Sequence, residues 1–474
     1  PKAQGLLNAV KAVYEDGLEP SDYITPGVQA LFTARDEDSL ARLEAELTWA
    51  MVRVASDLKS GRTVPNEVDP ELFVHPHNIN PAVVLSQAAA VNDIEQLVAR
   101  HAPQGADYKN LKAALKRYRE IARLGGWTEM SDGRILRPGY RDHRVQDLKR
   151  VLAERGEAVT ADNNHYDAAL IDAVRAFQRR HGLGADGAFG PQTLGELNTS
   201  VERRIEQIKI NMERWRWMPA NLGQRYAMVN LADYRLEVVF DGEPVYESRV
   251  VIGTNVDRTP VFSDVMTYMV INPYWNIPPS IARDEMLPQL RKDPYALARR
   301  GIRVFSSWGS GASEIDPGMI DWNMVSRAGF PFKLRQDPGN GNALGRVKFM
   351  FPNQFNIYLH DTPSKSLFNR TVRAFSHGCI RVEEPFRLAK LLLRDDPRWS
   401  EERFDRELAS RQRRVISLPT PINVHLTYLT AWVDADGIVH FRDDIYGRDK
   451  RLTAALDASR QTPMAPPPLT SDSR

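Results

Sequence analysis

The spacing of apolar residues changes near residue 222, and no other feature constrains the fold as much. Before that point apolar side chains recur at intervals of three and four: Leu31-Phe32, Leu40-Ala41, Leu43, Leu47, then Met51-Val52. That period is helical, and it predicts helices over 29–59, 81–101, 108–124 and 201–217. After it, Arg225–Leu231 and Arg235–Phe240 alternate or run apolar on either side of Ala232-Asp233-Tyr234, with Asp241-Gly242 following. Such runs bounded by turn residues predict hairpins. Further strands are expected over 245–252, 265–271, 347–349 and 422–426, a helix over 385–393, and a hairpin over 433–441 around Asp436-Gly437. Helices first and strands later describe a multidomain α+β chain. At 474 residues two to four domains are expected.

The chemistry concentrates in FPNQFNIYLHDTPSKSLFNRTVRAFSHGCIRVEEP, from Phe351 to Pro385. It holds the only cysteine, Cys379, with His360 and His377 nearby. Phe355–His360 reads as a strand, so Tyr358 and His360 share a face. A thiol acts as a nucleophile through its thiolate, and a nearby histidine is the usual means of forming one. Gly378 leaves room for a tight turn with a backbone N–H aimed at an oxyanion.

Composition narrows the class. Hydrophobic residues at 42% and charged residues at 26% describe a soluble globular protein. A net charge of +2 argues against nucleic acid as a partner. No apolar run is long enough to span a bilayer. The chain opens on Pro1 with neither a basic nor an apolar leader, so a targeting segment is expected to have been removed. One cysteine excludes an internal disulfide. His75, His77 and His101 are scattered, and His165 and His181 lack a third partner, so no metal and no cofactor are expected.

His360, the fifteen residues Asp361–Phe375, and then Ser376-His377-Gly378-Cys379-Ile380-Arg381 resemble the signature of L,D-transpeptidases with a YkuD-type catalytic domain. The lead-in Asn342-Ala343-Leu344-Gly345, Lys348-Phe349, Phe351-Pro352-Asn353 and the segment His360-Asp361-Thr362-Pro363 resemble the same family. The resemblance implies Cys379 as nucleophile, His360 as general base, and Ser376, His377 and Gly378 shaping the oxyanion hole. It implies substrate-binding roles for Arg381, Tyr358, Trp275 and Asn353. The implied reaction cuts a peptidoglycan tetrapeptide stem after the L-centre of its third residue, releases D-Ala, and joins the acyl group to an acceptor amine as a 3–3 cross-link. Peptidoglycan stem peptides and glycan strands are the implied partners, other cell-wall synthases among possible ones. Carbapenem β-lactams are the implied covalent inhibitors, and the periplasm the implied compartment.

Ala173–Leu183, with Asp186-Gly187 and Phe189-Gly190-Pro191-Gln192-Thr193, resembles a small three-helix peptidoglycan-binding domain. Leu148, Leu152, Val174, Phe177 and Leu194 would form its core. The expected domains are an α-helical scaffold over 1–136, completed by a helix over 200–218; the peptidoglycan-binding domain over 137–199; and a mainly-β catalytic domain over 222–460. The catalytic domain, of sandwich-like fold by resemblance, carries an inserted capping subdomain at about 282–345, against the alternative of a decorated loop. A disordered tail is expected at 461–474. The rival functional readings are a cysteine peptidase, such as an L,D-carboxypeptidase-like hydrolase, and a non-catalytic wall-binding protein.

Overall fold

The computed structural model describes residues 1–24, 26–160 and 163–461. They fall into two compact units: Pro1–Leu222 together with the segment from Tyr428 onward, and Gly223–Thr427. The first is helical and the second rich in strands, the mixed α+β class that the change of period predicts. The expected tail lies outside the described residues, apart from the backbone of Gln461.

The helical unit contains α1 (Lys2–Ala12), α2 (Glu37–Ser60), α3 (Pro81–Ala90), α4 (Ile94–Ala99) and α5 (Ala106–Arg123). The helix expected over 29–59 starts at Glu37, because the Asp36 carboxylate accepts the Ser39 N–H and caps it. The one expected over 81–101 breaks in two. Asp93 caps α4 by accepting the Gln96 N–H, while Val84, Val91, Ile94 and Val98 still face one apolar cluster. Apolar spacing reports which side chains are buried, and burial survives a break in the helix.

Next come α6 (His143–Glu154), α7 (Ala168–Arg180) and α8 (Pro191–Leu197). They enclose Leu148, Leu152, Val174 and Phe177, all buried, with Leu194 at the margin. The buried Gln178 side chain accepts the Gly187 N–H and donates to the Ala188 carbonyl. That clamps the turn in which Gly187 takes φ +78°, and Pro191 opens α8.

Helix α9 (Val201–Trp217) lies against α5. Its Glu213 pairs with Arg216 at 2.8 Å, both side chains almost fully buried, and accepts the Arg62 and Thr63 N–H groups. Arg216 also donates to the Tyr108 hydroxyl at 2.9 Å. Another face of α9 holds the end of the chain: Asn211 and Thr430 exchange two hydrogen bonds of 2.9 Å, and Arg214 pairs with Asp449 at 2.6 Å. The hairpin Ala431–Val433/Val439–Phe441 and the helix Arg448–Gln461 therefore group with the helical unit. The span 222–460 expected for the catalytic domain runs past the β-rich unit, because these late strands are as apolar as the earlier ones while their partners lie on a helix.

The β-rich unit contains β1 (Arg225–Asn230), β2 (Arg235–Phe240), β3 (Glu243–Gly253), β4 (Val261–Ile271), β5 (Val347–Met350), β6 (Leu359–His360), β7 (Ile380–Val382) and β8 (Arg414–Thr427). Pairing runs β4-β5-β6-β7-β3-β2-β1-β8, and β8 pairs back onto β4. The resemblance implied a sandwich; the hydrogen bonding closes a ring, which leaves none of these eight strands as a free edge. The β6–β7 and β8–β1 pairs are parallel, and the others in the ring are antiparallel.

Between β4 and β5 lies the insertion. It starts earlier than residue 282, since Trp275–Asn276 already belongs to its four-stranded sheet with Ile302–Phe305, Glu314–Ile315 and Lys333–Gln336. Ile277, Leu287, Leu290, Val304, Trp322 and Leu334 give it a buried apolar core of its own. Trp308 and Tyr295 are exposed.

Replacing Glu213 with Ala leaves Arg216 buried and unpaired, a loss of about 3–5 kcal/mol for a buried ion pair. The expected outcome is a lower unfolding midpoint by circular dichroism, with faster amide exchange around Arg62 and Thr63.

Candidate active site

Three adjacent strands build the site. Lys348 on β5 pairs in register with His360 on β6, and His360 with Arg381 on β7. One step along, the Ile380 N–H donates to the Tyr358 carbonyl, which brings Cys379 beside Tyr358. Directly opposed residues share a face, so Lys348, Tyr358, His360, Cys379 and Arg381 project together. The alternate residues Phe349, Leu359 and Ile380 are wholly buried on the other side. The Lys348 ammonium sits 3.8 Å from the Tyr358 ring centre, and the Tyr358 and His360 rings meet edge-on at 5.7 Å. The Cys379 thiol lies 3.5 Å from the Asn356 carbonyl.

A turn delivers the cysteine. Gly378 has φ +100°, and a Cβ there would meet Ile357 Cδ1 at 3.3 Å, so glycine is required. The Ser376 hydroxyl donates to the Cys379 carbonyl at 2.5 Å and accepts the Gly378 N–H at 3.2 Å. The buried Thr259 hydroxyl donates to the Gly378 carbonyl at 2.8 Å and accepts the Gly253 N–H at 2.9 Å. Ser376 and Thr259 thus hold both sides of the turn. Gly378, expected to offer its N–H to an oxyanion, has given it to Ser376; the Cys379 N–H has no acceptor among the described residues.

His360 is 4% exposed. Its Nδ1 faces the Asp361 carbonyl at 2.5 Å; a carbonyl only accepts, so Nδ1 carries the proton. The buried Asp361 carboxylate pairs with Lys365 at 2.7 Å and accepts the Arg346 N–H at 2.8 Å. It ties the segment after β6 to the start of β5.

The remaining expected residues divide. Arg381 keeps a buried Nε without a partner, as a group awaiting an anion would. His377 is half-exposed, its Nε2 bonded to Glu285 of the insertion at 2.5 Å. Asn353, expected to bind substrate, has both amide hydrogens on the Phe351 and Ile357 carbonyls and its oxygen on the Phe355 and Ile357 N–H groups. An amide so used is saturated; it shapes the loop before β6. Trp275, expected likewise, is 9% exposed and packs in the insertion's core. Lys348, Thr259 and Asp361 were not singled out. Lys348 and Asp361 lay within motif segments already noted, while nothing local marked Thr259.

Burial governs the electrostatics. With the Arg381 guanidinium and Lys348 it pushes the His360 imidazole down to about 3, against the opposing pull of the Asp361 and Leu344 carbonyls. It pushes the Cys379 thiol up, against Tyr358, Lys348 and Arg381, which all favour the thiolate. Burial lowers Lys348 and Arg381 below their usual values, the thiolate opposing both. At rest the arrangement holds a neutral imidazole and a neutral thiol between two cations.

Residues 224–399, which contain this whole row, match the family described as "L,D-transpeptidase catalytic domain" (YkuD). Residues 141–197 match "Putative peptidoglycan binding domain" and residues 1–115 match "Scaffold domain". The chain carries an L,D-transpeptidase catalytic domain of the YkuD type and a peptidoglycan-binding domain. It is similar to a Haemophilus influenzae protein named "Putative L,D-transpeptidase", 37% identical over 260 residues, which are 55% of this chain and 51% of that protein. The chain thus spans about half the length of that curated relative. Among solved structures it is similar to an L,D-transpeptidase from Xylanimonas cellulosilytica, at 17% identity and TM-score 0.21, covering 63% of this chain and 100% of that one. Another is from Stackebrandtia nassauensis, at 14% identity and TM-score 0.24, covering 63% and 97%. Among the described residues no helix is long and apolar enough to cross a membrane.

The thiol is raised, so alkylation of Cys379 by iodoacetamide should climb with pH and reach half-maximum above the value of an ordinary cysteine. Lys348→Met removes a charge that favours the thiolate, so its midpoint should move higher and its rate at neutral pH fall. Glu285→Gln weakens the contact with His377; an exposed ion pair is worth at most about 1 kcal/mol. Amide exchange over 282–290 and 374–378 should therefore speed up by no more than about fivefold.

Proposed function

We propose that this protein is an L,D-transpeptidase that forms 3–3 cross-links between peptidoglycan stems, with Cys379 as nucleophile and His360 as general base. The observation that carries the reading is the row Lys348–His360–Arg381, with Cys379 and Tyr358 beside it, on one face of a closed sheet.

The Cys379 sulfur attacks the carbonyl carbon of the third stem residue as His360 Nε2 takes the thiol proton. The flanking cations favour the negative charge that develops, and the Cys379 N–H is the backbone donor left for the oxyanion. Collapse of the tetrahedral species breaks the C–N bond; His360 returns its proton to the amine of the departing D-Ala, leaving a thioester. The acceptor amine then attacks the thioester and loses a proton through His360 to the regenerated thiol. Arg381 pairs with a carboxylate of the stem. The insertion, joined to the catalytic turn through Glu285 and His377, limits water at the thioester and so favours the amine over hydrolysis. Such a substrate places the protein on the wall side of the membrane, in the periplasm. A β-lactam of the carbapenem class would acylate the same sulfur.

Incubation with a disaccharide-tetrapeptide, followed by mass spectrometry, tests this. Release of D-Ala with cross-linked dimers is expected, and neither from Cys379→Ala. Tripeptide without dimers would replace the reading with a hydrolase. Arg381→Gln should lower kcat/KM about tenfold or more, the worth of a charged hydrogen bond of about 1.5–3 kcal/mol.

A further inference from the structure

The helical unit contains a cavity of about 330 Å³ between α5, the ends of α6 and α7, α9 and the Ala431–Phe441 hairpin. Its size is at the low end for ligand sites, roughly 300–1,000 Å³. Four guanidiniums and three carboxylates line it: Arg117, Arg155, Arg180 and Arg204, with Glu154, Glu196 and Asp436. Arg180 and Arg204 have carboxylate partners in Glu157 and Glu196. Among the described residues neither Arg155 nor Arg117 forms an ion pair with a carboxylate, although Glu154 acts on Arg155 from farther off. Arg155 donates instead to the carbonyls of Val151, Thr128 and Leu197 and lies 4.9 Å from the Trp127 ring centre. Among the described residues Arg117 has one ring contact, its guanidinium lying 5.7 Å from the Tyr118 ring centre.

Tyr118 reports the field inside. It packs edge-on to Trp127 at 5.8 Å and Phe441 at 5.7 Å, and its hydroxyl bonds to no described residue. All four guanidiniums act on it in the direction that favours a negative charge, although burial keeps its hydroxyl above the usual value. Arg155 is pushed down to about 10 by burial and by Arg180 and Arg204, with Glu154 opposing. Both shifts describe a partly enclosed, aromatic-walled space in which the guanidiniums lie close to one another and Glu154 offsets only part of their charge.

We propose that this cavity binds a carboxylate-bearing end of a peptidoglycan stem, with Arg117 and Arg155 as its charge partners and Tyr118 as a hydrogen-bond donor. Two cations outside ion pairs suit a carboxylate, and the apolar rings suit the side chains next to it. The volume admits one or two stem residues. The wall would then be held in a cleft that the three-helix domain shares with α5 and the late hairpin. The proposal rests on the peptidoglycan reading above.

Amide exchange by mass spectrometry on the whole protein, titrated with a disaccharide-tetrapeptide, separates the two. Protection over 115–127, 151–157 and 434–441 supports the cavity, in addition to any protection over 345–382. Protection over 345–382 alone overturns the cavity and leaves the wall chemistry standing. Protection nowhere overturns both. Equal protection from inorganic phosphate or from a stem with amidated carboxylates also overturns the proposal, since it needs a peptide carboxylate. Arg117→Glu should weaken protection at the cavity at least fivefold while Lys116→Glu, the same charge change one residue away and outside the lining, leaves it as in the unaltered protein. Arg155→Gln should weaken it too; Arg117, with a single ring contact, can be changed without disturbing the fold, so unaltered binding by Arg117→Glu sinks the idea.

Discussion

The parallel pairing of β6 with β7 is the constraint on which the site depends. These strands have two and three residues, yet their register sets His360 against Arg381 and Cys379 beside Tyr358. Side chains alternate along a strand, so a slip of one residue would turn Leu359 into the site and bury His360 in the core. Leu359 and Ile380, both fully buried, make that slip costly. Closure of the sheet through β4 and β8 holds the short strands between longer ones.

Burial then sets the chemistry. A solvated histidine and cysteine would exchange a proton with water. Here low polarity disfavours charge on both, and the resting pair is neutral, while Lys348 and Arg381 stand where they lower the cost of the thiolate once the proton has moved. The insertion supports the same state: its own core keeps it ordered, and Glu285 ties it to the turn that carries Cys379.

The helical unit uses buried charge differently. Glu213 and Arg216 on α9 satisfy one another and neighbouring backbone groups, so ionic pairing fixes how α9 meets Arg62, Thr63 and Tyr108. Around Tyr118 the pairing is less complete: among the described residues, Arg180 and Arg204 form ion pairs while Arg117 and Arg155 do not. A fully satisfied buried network rigidifies the fold around it, and a partly satisfied one is costly in a low-dielectric interior.

The amino-acid order alone determined the helical and β-rich portions, the three-helix domain's core and turn, and the candidacy of His360 and Cys379. Each depends on residues near one another in the chain: apolar spacing, turn glycines and one motif. Tertiary structure decided what distant segments do to one another. It saturated Asn353, buried Trp275 in the insertion, spent the Gly378 N–H on Ser376, and set Thr259 behind the turn that carries Cys379. It also returned the last strands and helix to the helical unit, where Asn211 and Arg214 meet Thr430 and Asp449. A residue's type and spacing say what it can bond to; only the folded chain says which partner is within reach.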